Sequence, residues 1–379
     1  MEMPLSDITV LDLSRILSGP FTSMALGDFG ARVIKVEPPG GDDTRSWGPP
    51  FVAGDAAYFL AMNRNKESVV LDLKDPRGRA ALEKLVQRSD VVLENFRPGT
   101  LARLGFGYGH LKELNPRVIL CSVSGYGQTG PKSHLPGYDQ IAQGMGGLMS
   151  VTGEPSGPPV RAGFSVADLA AAMWALYGIM LALRHRDRTG EGQWVDIALL
   201  DAMISFQTYQ AQNQFASGKD PTRHGSAHPN LAPYQTFRAR DGYVSVGVGN
   251  DHLWRRFCEA LGLDIAGDAR FRTNPDRVMH RQELLEILGP VFAGQSAALL
   301  IERLVAAGVP AGPVNTISQV FQDPQVLARD MVVTLDDPER GPLRQIGIPV
   351  KLSATPGSLR TLPPRLGEHT EAVLRELEP

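Results

Sequence analysis

The run Ile8-Thr9-Val10-Leu11-Asp12-Leu13, the loop Ser14-Arg15-Ile16-Leu17-Ser18-Gly19-Pro20 and the return Arg32-Val33-Ile34-Lys35-Val36-Glu37 together decide the fold. The first and third pieces are short, largely apolar and rich in branched side chains, as strands buried on both faces are. Pro20 suits the first position of a helix, where a missing N–H costs nothing. Strand, helix and a second strand ending in an acid mimic the opening of a dinucleotide-binding fold. The connecting loop lacks the glycines that let a pyrophosphate approach the backbone, so the unit is kept and NAD is rejected.

Working outward, Ser68 to Leu73 reads as a strand, and Asp75 caps a helix that runs to about Arg88. Val91 to Phe96 and Val118 to Ser124 are further strands, which gives the alternation of a parallel sheet with helices on both faces. Gly125-Tyr126-Gly127-Gln128-Thr129-Gly130 is a literal GxGxxG after a strand. Pro131 to Pro136 cannot open the helix that this motif requires, so the glycines read as a turn at a strand's carboxyl end, where open sheets place ligands. A long apolar helix is expected from Val166 to Arg186, then a strand at Gln193 to Leu199 and a helix at Leu200 to Ala216.

The pattern then changes. Tyr234 to Ala239 and Tyr243 to Val248 flank Arg240-Asp241-Gly242 as a hairpin. Helices follow at His252 to Leu261, His280 to Phe292 and Ala297 to Ala307. The expected organisation is a Rossmann-like α/β large domain over residues 1–224, a smaller α+β domain over 225–330, and a return to the large domain over 331–379. That return comprises strands at Met331 to Leu335 and Gln345 to Leu352 and a helix at Glu368 to Leu377.

Composition narrows the function. With 42% hydrophobic and 21% charged residues and a formal net charge of −3, the chain has no basic footprint for nucleic acid. Cys121 and Cys258 form neither a metal-spaced cluster nor a disulfide framework. His224 and His228 are four apart, but Gly225 and Pro229 put them in a loop without a third ligand, so no metal is expected. The first residues carry no basic and apolar leader, and the alanines and the acid of the long helix argue for a core helix over a membrane span. A cytoplasmic enzyme is the expectation.

Asp168 is the candidate for chemistry. It stands in the first turn of the long helix, with no other charge before Arg184. Two readings stand side by side. In one, Ser165 caps the helix and Asp168 complements its positive end. In the other, Asp168 is a carboxylate nucleophile protected by a wall of small apolar residues. In the polar loop Gly40 to Pro50, Arg45 and Trp47 are either pocket-lining residues or surface anchors.

Several stretches are similar to family III CoA-transferases, the formyl-CoA and carnitine CoA-transferase type, over essentially the whole chain. They are Val10 to Leu13, Gly30 to Glu37, Asn63 to Lys66, Glu94 to Gly99, Gly125 to Gly127, Gly137 to Asp139, Gly308 to Pro310 and Leu366 to Thr370. Asp42 to Phe51 and Pro233 to Thr236 look most like the succinyl-CoA–glutarate branch. The resemblance implies an interlocked homodimer of a Rossmann-like large domain and a small domain. It also implies acyl-CoA and small carboxylic acids as substrates, coenzyme A as co-substrate and no permanently bound cofactor.

The family's catalytic aspartate falls on Asp168. Its CoA-contacting positions fall on Ser18, Leu71, Asp72, Leu73, Lys74, Asn95, Phe96, Arg103 and Tyr138, and Asp139 and Arg97 adjoin them. Arg15, Arg97 and Arg103 are candidates for the CoA phosphates, and Arg45 or Arg161 for the distal end of a dicarboxylate. Gly144 to Gly147 or the loop from Gly225 to His228 could offer N–H groups to an oxyanion. Leu17 stands where formyl-CoA transferases carry glutamine, which argues against oxalate or formate. Tyr138 stands where the related α-methylacyl-CoA racemases carry histidine, and tyrosine is a poor base near neutrality. A racemase-like isomerase and a CoA-binding protein without catalysis are the competing readings.

Overall fold

In the computed structural model, which describes residues 2–378, six strands form one all-parallel sheet. They are β1 (Thr9–Asp12), β2 (Arg32–Glu37), β3 (Glu67–Val70), β4 (Val91–Glu94), β5 (Ile119–Ser124) and β6 (Trp194–Ala198), in the order β3-β2-β1-β4-β5-β6. This is the doubly wound order, whose direction of travel reverses between β1 and β4. Alternation along the strands loads both faces: Val10, Val33, Val91 and Ile119 go to one core, Leu11, Ile34, Val92 and Leu120 to the other.

Three helices matter for the site: α1 (Ser18–Asp28), α2 (Asp139–Met145) and α3 (Val166–Thr189). α3 lies in the first core through Ala167, Ala170, Ala171, Ala175, Ile179 and Ala182. Small residues let it come close; a Cβ on Gly178 would sit 2.7 Å from Val195. By length and composition α3 could cross a bilayer, but this face is packed as a core helix. Its other face leaves Met173, Trp174, Tyr177, Met180 and Leu181 exposed. On the second core lie Leu82, Leu85 and Val86 of the helix Pro76–Gln87, which Asp75 caps, and Val373 of the C-terminal helix Thr370–Arg375.

Two expected elements differ. The helix expected over 200–216 breaks into Leu199–Ser205 and Thr208–Ser217 at Thr208, whose φ is 38°. The last strand lies at Gly341–Ile346, antiparallel to Val332–Asp337, not at 345–352. Gly347, whose Cβ would meet the Asp330 carbonyl, and Pro349 end it there.

A second compact unit comprises Met149–Val160 and Ala216–Asp323, and the rest of the described chain makes the first. It holds a three-stranded antiparallel sheet of Tyr234–Arg238, Tyr243–Gly247 and Ala311–Pro313. Its core joins Phe237, Phe257 and Phe292 to Trp254. The Phe237 and Phe292 rings stack at 4.3 Å.

Beneath the carboxyl ends of β1 and β2 lies a buried ionic network. Lys35 Nζ donates to Asp42 Oδ2 and to the Ser14 carbonyl, each at 2.9 Å, and neither charged side chain reaches solvent. Lys66 Nζ lies 3.2 Å from Asp12 Oδ2 and donates to Asn63 Oδ1 and the Pro20 carbonyl at 2.9 Å. Burial works to raise the Asp42 pKa, but Lys35 and the Thr44 N–H outweigh it and bring it down to about 2. Burial pushes Lys66 down to about 8 despite Asp12.

Candidate active site

At the reversal between β1 and β4 the loops leaving the strands part and open a cleft. Arg15 to Ser18 line it after β1, Asn95 to Pro98 after β4, and Ser124 and Gly125 at the end of β5. Leu135 to Tyr138 enter from the approach to α2, and Asp168 enters from the first turn of α3.

Backbone contacts shape this wall. A Cβ on Gly125 would lie 2.6 Å from the Gly137 Cα, so both positions need glycine for the two backbone segments to touch. That approach brings Tyr138 and Asp139 over the end of β5. Across the reversal, Asn95 clamps residue 15: its Oδ1 accepts the Arg15 N–H at 2.8 Å and its Nδ2 donates to the Arg15 carbonyl at 2.6 Å. Ile16 is thereby held at φ 71°, a left-handed conformation costly for a β-branched residue, with Asp42 Oδ1 accepting its N–H at 3.4 Å.

The start of α3 departs from the expected capping box. Ser165 occupies the cap position, but its side chain makes no capping bond. The acceptor is Asp139, whose Oδ1 takes the Ala167 N–H at 2.9 Å from outside the helix. Asp139 Oδ2 accepts from Gln143 Nε2 at 2.7 Å, and Gln143 Oε1 accepts the Ala162 N–H at 2.9 Å. Arg161 Nη2 stands 3.8 Å from the same carboxylate. Asp168 is half-buried and makes no capping bond of its own. Its pKa is pushed up to about 7, first by burial and then by the negative charge of Asp139.

The cleft gathers Ser18, Asn95, Phe96, Arg97 and Tyr138 around Asp168, and Arg15 joins them with its guanidinium 5.9 Å from the Phe96 ring centre. Leu71, Asp72, Leu73 and Lys74 do not line it; they follow the edge strand β3, at the same end of the sheet. Arg103 is exposed beyond it, bonded to Thr100 Oγ1 at 2.8 Å.

Arg45, expected as a cation for a dicarboxylate, is instead engaged within the fold: its guanidinium makes two 2.8 Å bonds to Glu37 and lies 3.7 Å above the Phe59 ring. Trp47 is half-exposed and packs edge-on against Tyr58, ring centres 5.4 Å apart. Gly146 and Gly147 are packing glycines: their N–H groups donate to Ala142 and Gly144 carbonyls, and a Cβ on each would strike Met203 or Gln207. His228 belongs to the second unit, where its ring lies 5.5 Å from that of Tyr234. The N–H groups of Gly225, Ala227 and His228 are likewise bonded within that unit.

Tyr58 and Gln143 escaped the sequence reading. Tyr58 hydrogen-bonds Ser165 and feels both Asp168 and Asp139; burial first, then those charges, push its pKa to about 12, so it stays a proton donor. Nothing local separates Tyr58 from an ordinary core aromatic, because its role depends on a partner 107 positions away.

Fold and cleft define a doubly wound α/β protein with its site at the topological switch point. The chain belongs to CoA-transferase family III, whose profile matches residues 5–370. It is 45% identical to succinate–glutarate CoA-transferase of Agrobacterium fabrum over 99% of this chain and 96% of that one. It is 41% identical to acetyl-CoA:oxalate CoA-transferase of Acetobacter aceti, covering 98% and 95%. The crystal structure of a CAIB/BAIF family protein from Brucella suis superposes with a TM-score of 0.89 at 43% identity over all of both chains. The protein is therefore a CoA-transferase, an enzyme acting on acyl-CoA and carboxylate substrates.

Proposed function

We propose that this enzyme moves CoA from succinyl-CoA to a dicarboxylate such as glutarate through covalent intermediates on Asp168. One observation carries the reading: the carboxylate that enters the cleft at the switch point is Asp168, with Leu17, Val123 and Leu199 among the residues that line it. Its oxygen attacks the donor thioester carbon, forming an aspartyl–acyl anhydride and releasing CoA thiolate. The thiolate attacks the aspartyl carbonyl, forming an aspartyl-CoA thioester and freeing the donor acid. The acceptor carboxylate attacks that thioester to give a new anhydride, and the thiolate then takes the acceptor acyl group and restores Asp168. Each intermediate keeps an activated acyl bond, so water must be excluded.

The succinate–glutarate activity named for the Agrobacterium relative supports this pair of acids, and an apolar Leu17 in the wall supports them over oxalate. Arg161, beside Asp139, is one candidate cation for a distal carboxylate, and Arg15 and Arg97 line the cleft itself. Enzyme incubated with succinyl-CoA, quenched in acid and digested should yield a peptide containing residue 168 heavier by CoA less water. Turnover without any such adduct refutes the scheme. Against a panel of acids, glutarate should exceed oxalate by roughly tenfold or more in kcat/KM.

The same reading makes the protein an intertwined homodimer. The contiguous exposed face of α3, from Met173 to Leu181, is the apolar surface that a second copy would cover. Sedimentation should give twice the 41.0 kDa of one chain.

A further inference from the structure

We propose that Asp139 is the positioning residue for Asp168: it caps α3 from outside the helix and fixes the first turn on which Asp168 stands. This rests on the reading of Asp168 as the nucleophile, and it reassigns Asp139 from the CoA contact that the sequence implied.

The geometry is a relay of four groups. Asp139 Oδ1 accepts the Ala167 N–H at 2.9 Å, one residue before Asp168. Its Oδ2 accepts Gln143 Nε2 at 2.7 Å, and Gln143 in turn accepts the Ala162 N–H at 2.9 Å. The carboxylate thus ties α2 to both the loop before α3 and the first turn of α3. Ser165, the residue placed to cap α3 by its own side chain, does not do so. First-turn N–H groups have no partner within their helix, and a carboxylate is a strong acceptor for them. Asp139 and Gln143 are both buried, so water does not readily replace either bond.

The arrangement has an electrostatic side. Asp139 from the start of α2 and Tyr58 from the helix Ala57–Met62 act on Asp168, Arg161 stands beside Asp139 in the loop before α3, and Arg15 and Arg97 line the same cleft. Tyr58 is neutral below its raised pKa. Burial first and Asp139 second hold the Asp168 pKa at about 7. The nucleophile is the ionised form, so kcat/KM of the unmodified enzyme should rise with pH through about 7 and level off above it. An Asp139→Asn change keeps an oxygen to accept the Ala167 N–H, sets its amide NH2 against Gln143 Nε2 so that this bond is lost, and removes the charge, so the rise should move to lower pH. An Asp139→Ala change removes the cap as well and should disorder the turn.

The test compares pH–rate profiles of the enzyme, D139N and D139A, with amide hydrogen exchange of the first turn of α3 in the unmodified protein. We expect D139N to shift the acid limb down by roughly half a pH unit or more. D139A should lower kcat by roughly tenfold or more with little change in KM. The Ala167 N–H should be protected in the unmodified protein. An acid limb that stays put in D139N, or equal kcat in D139N and D139A, overturns the proposal. If neither variant folds, rapid exchange at Ala167 overturns it and protection supports it. Failure of the nucleophile reading is recognised separately, by turnover that survives in D168N.

Discussion

Asp168→Asn should leave a folded protein whose CoA transfer is at least roughly a thousandfold slower. Asparagine keeps the shape of the side chain, but its amide oxygen does not form the anhydride on which every later step depends. Stability should move the other way. The folded pKa of Asp168, about 7, stands above its ordinary value of 3.8, so between these pH values the folded protein holds the proton more tightly than the unfolded chain. This group's contribution to stability is full below the ordinary value and is lost as pH rises through about 7. Replacing it with a neutral amide removes that loss, so D168N should melt at or above the unmodified protein at pH 8. CoA binding measured by calorimetry should be little changed. Full transfer in D168N would return the residue to helix electrostatics alone, and marked destabilisation at pH 8 would mean that the carboxylate is structural.

Lys35→Met carries the largest expected effect on stability. The ammonium is wholly buried and serves Asp42 and the Ser14 carbonyl directly, with Asp12 and Glu37 near enough to hold its pKa up against the effect of burial. Methionine fills similar volume but leaves those carboxylates without their cation, and breaking a buried pair in this way costs about 3–5 kcal/mol. The pH dependence identifies the cause. In the unmodified protein, Asp42 is depressed to about 2, and its contribution is present above its ordinary pKa and lost as pH falls toward 2. In K35M that depression disappears, so the deficit against the unmodified protein should shrink as pH falls from the ordinary value of 3.8 toward about 2. A deficit that is constant across that range would indicate lost packing instead. Activity should fall too, because Asp42 and Ser14 frame the loop that lines the cleft.

The sheet was legible because its strands are written as buried apolar runs. β2 lies at Arg32–Glu37 as read from the sequence, and β1 and β5 lie within the runs read for them, each being fixed by the period of its own side chains. Asp75 capping its helix was equally local. Elements decided by distant partners were not legible. Arg45 sits in a polar loop with the look of a ligand contact, and only the return of Glu37 beside it shows its engagement. Ser165 and Asp168 have capping-box spacing, yet a carboxylate 28 positions upstream of Ala167 takes the bond. The backbone contact of Gly125 with Gly137 explains two glycines whose spacing alone signals nothing. Asp168 lines the cleft, and the groups that hold its turn lie too far off in the chain for its own neighbourhood to announce them.

The left-handed turn at Ile16 bears on attempts to make this enzyme hardier. It is tied down from two sides, by Asn95 through residue 15 and by Asp42, in the wall beside Asp168. A glycine or asparagine there would relax the backbone, the kind of change that raises heat tolerance elsewhere in a chain. Here the relaxed loop would be free to take other paths across the mouth of the cleft, so the most obvious stabilising substitution in the molecule is also one that trades durability against turnover.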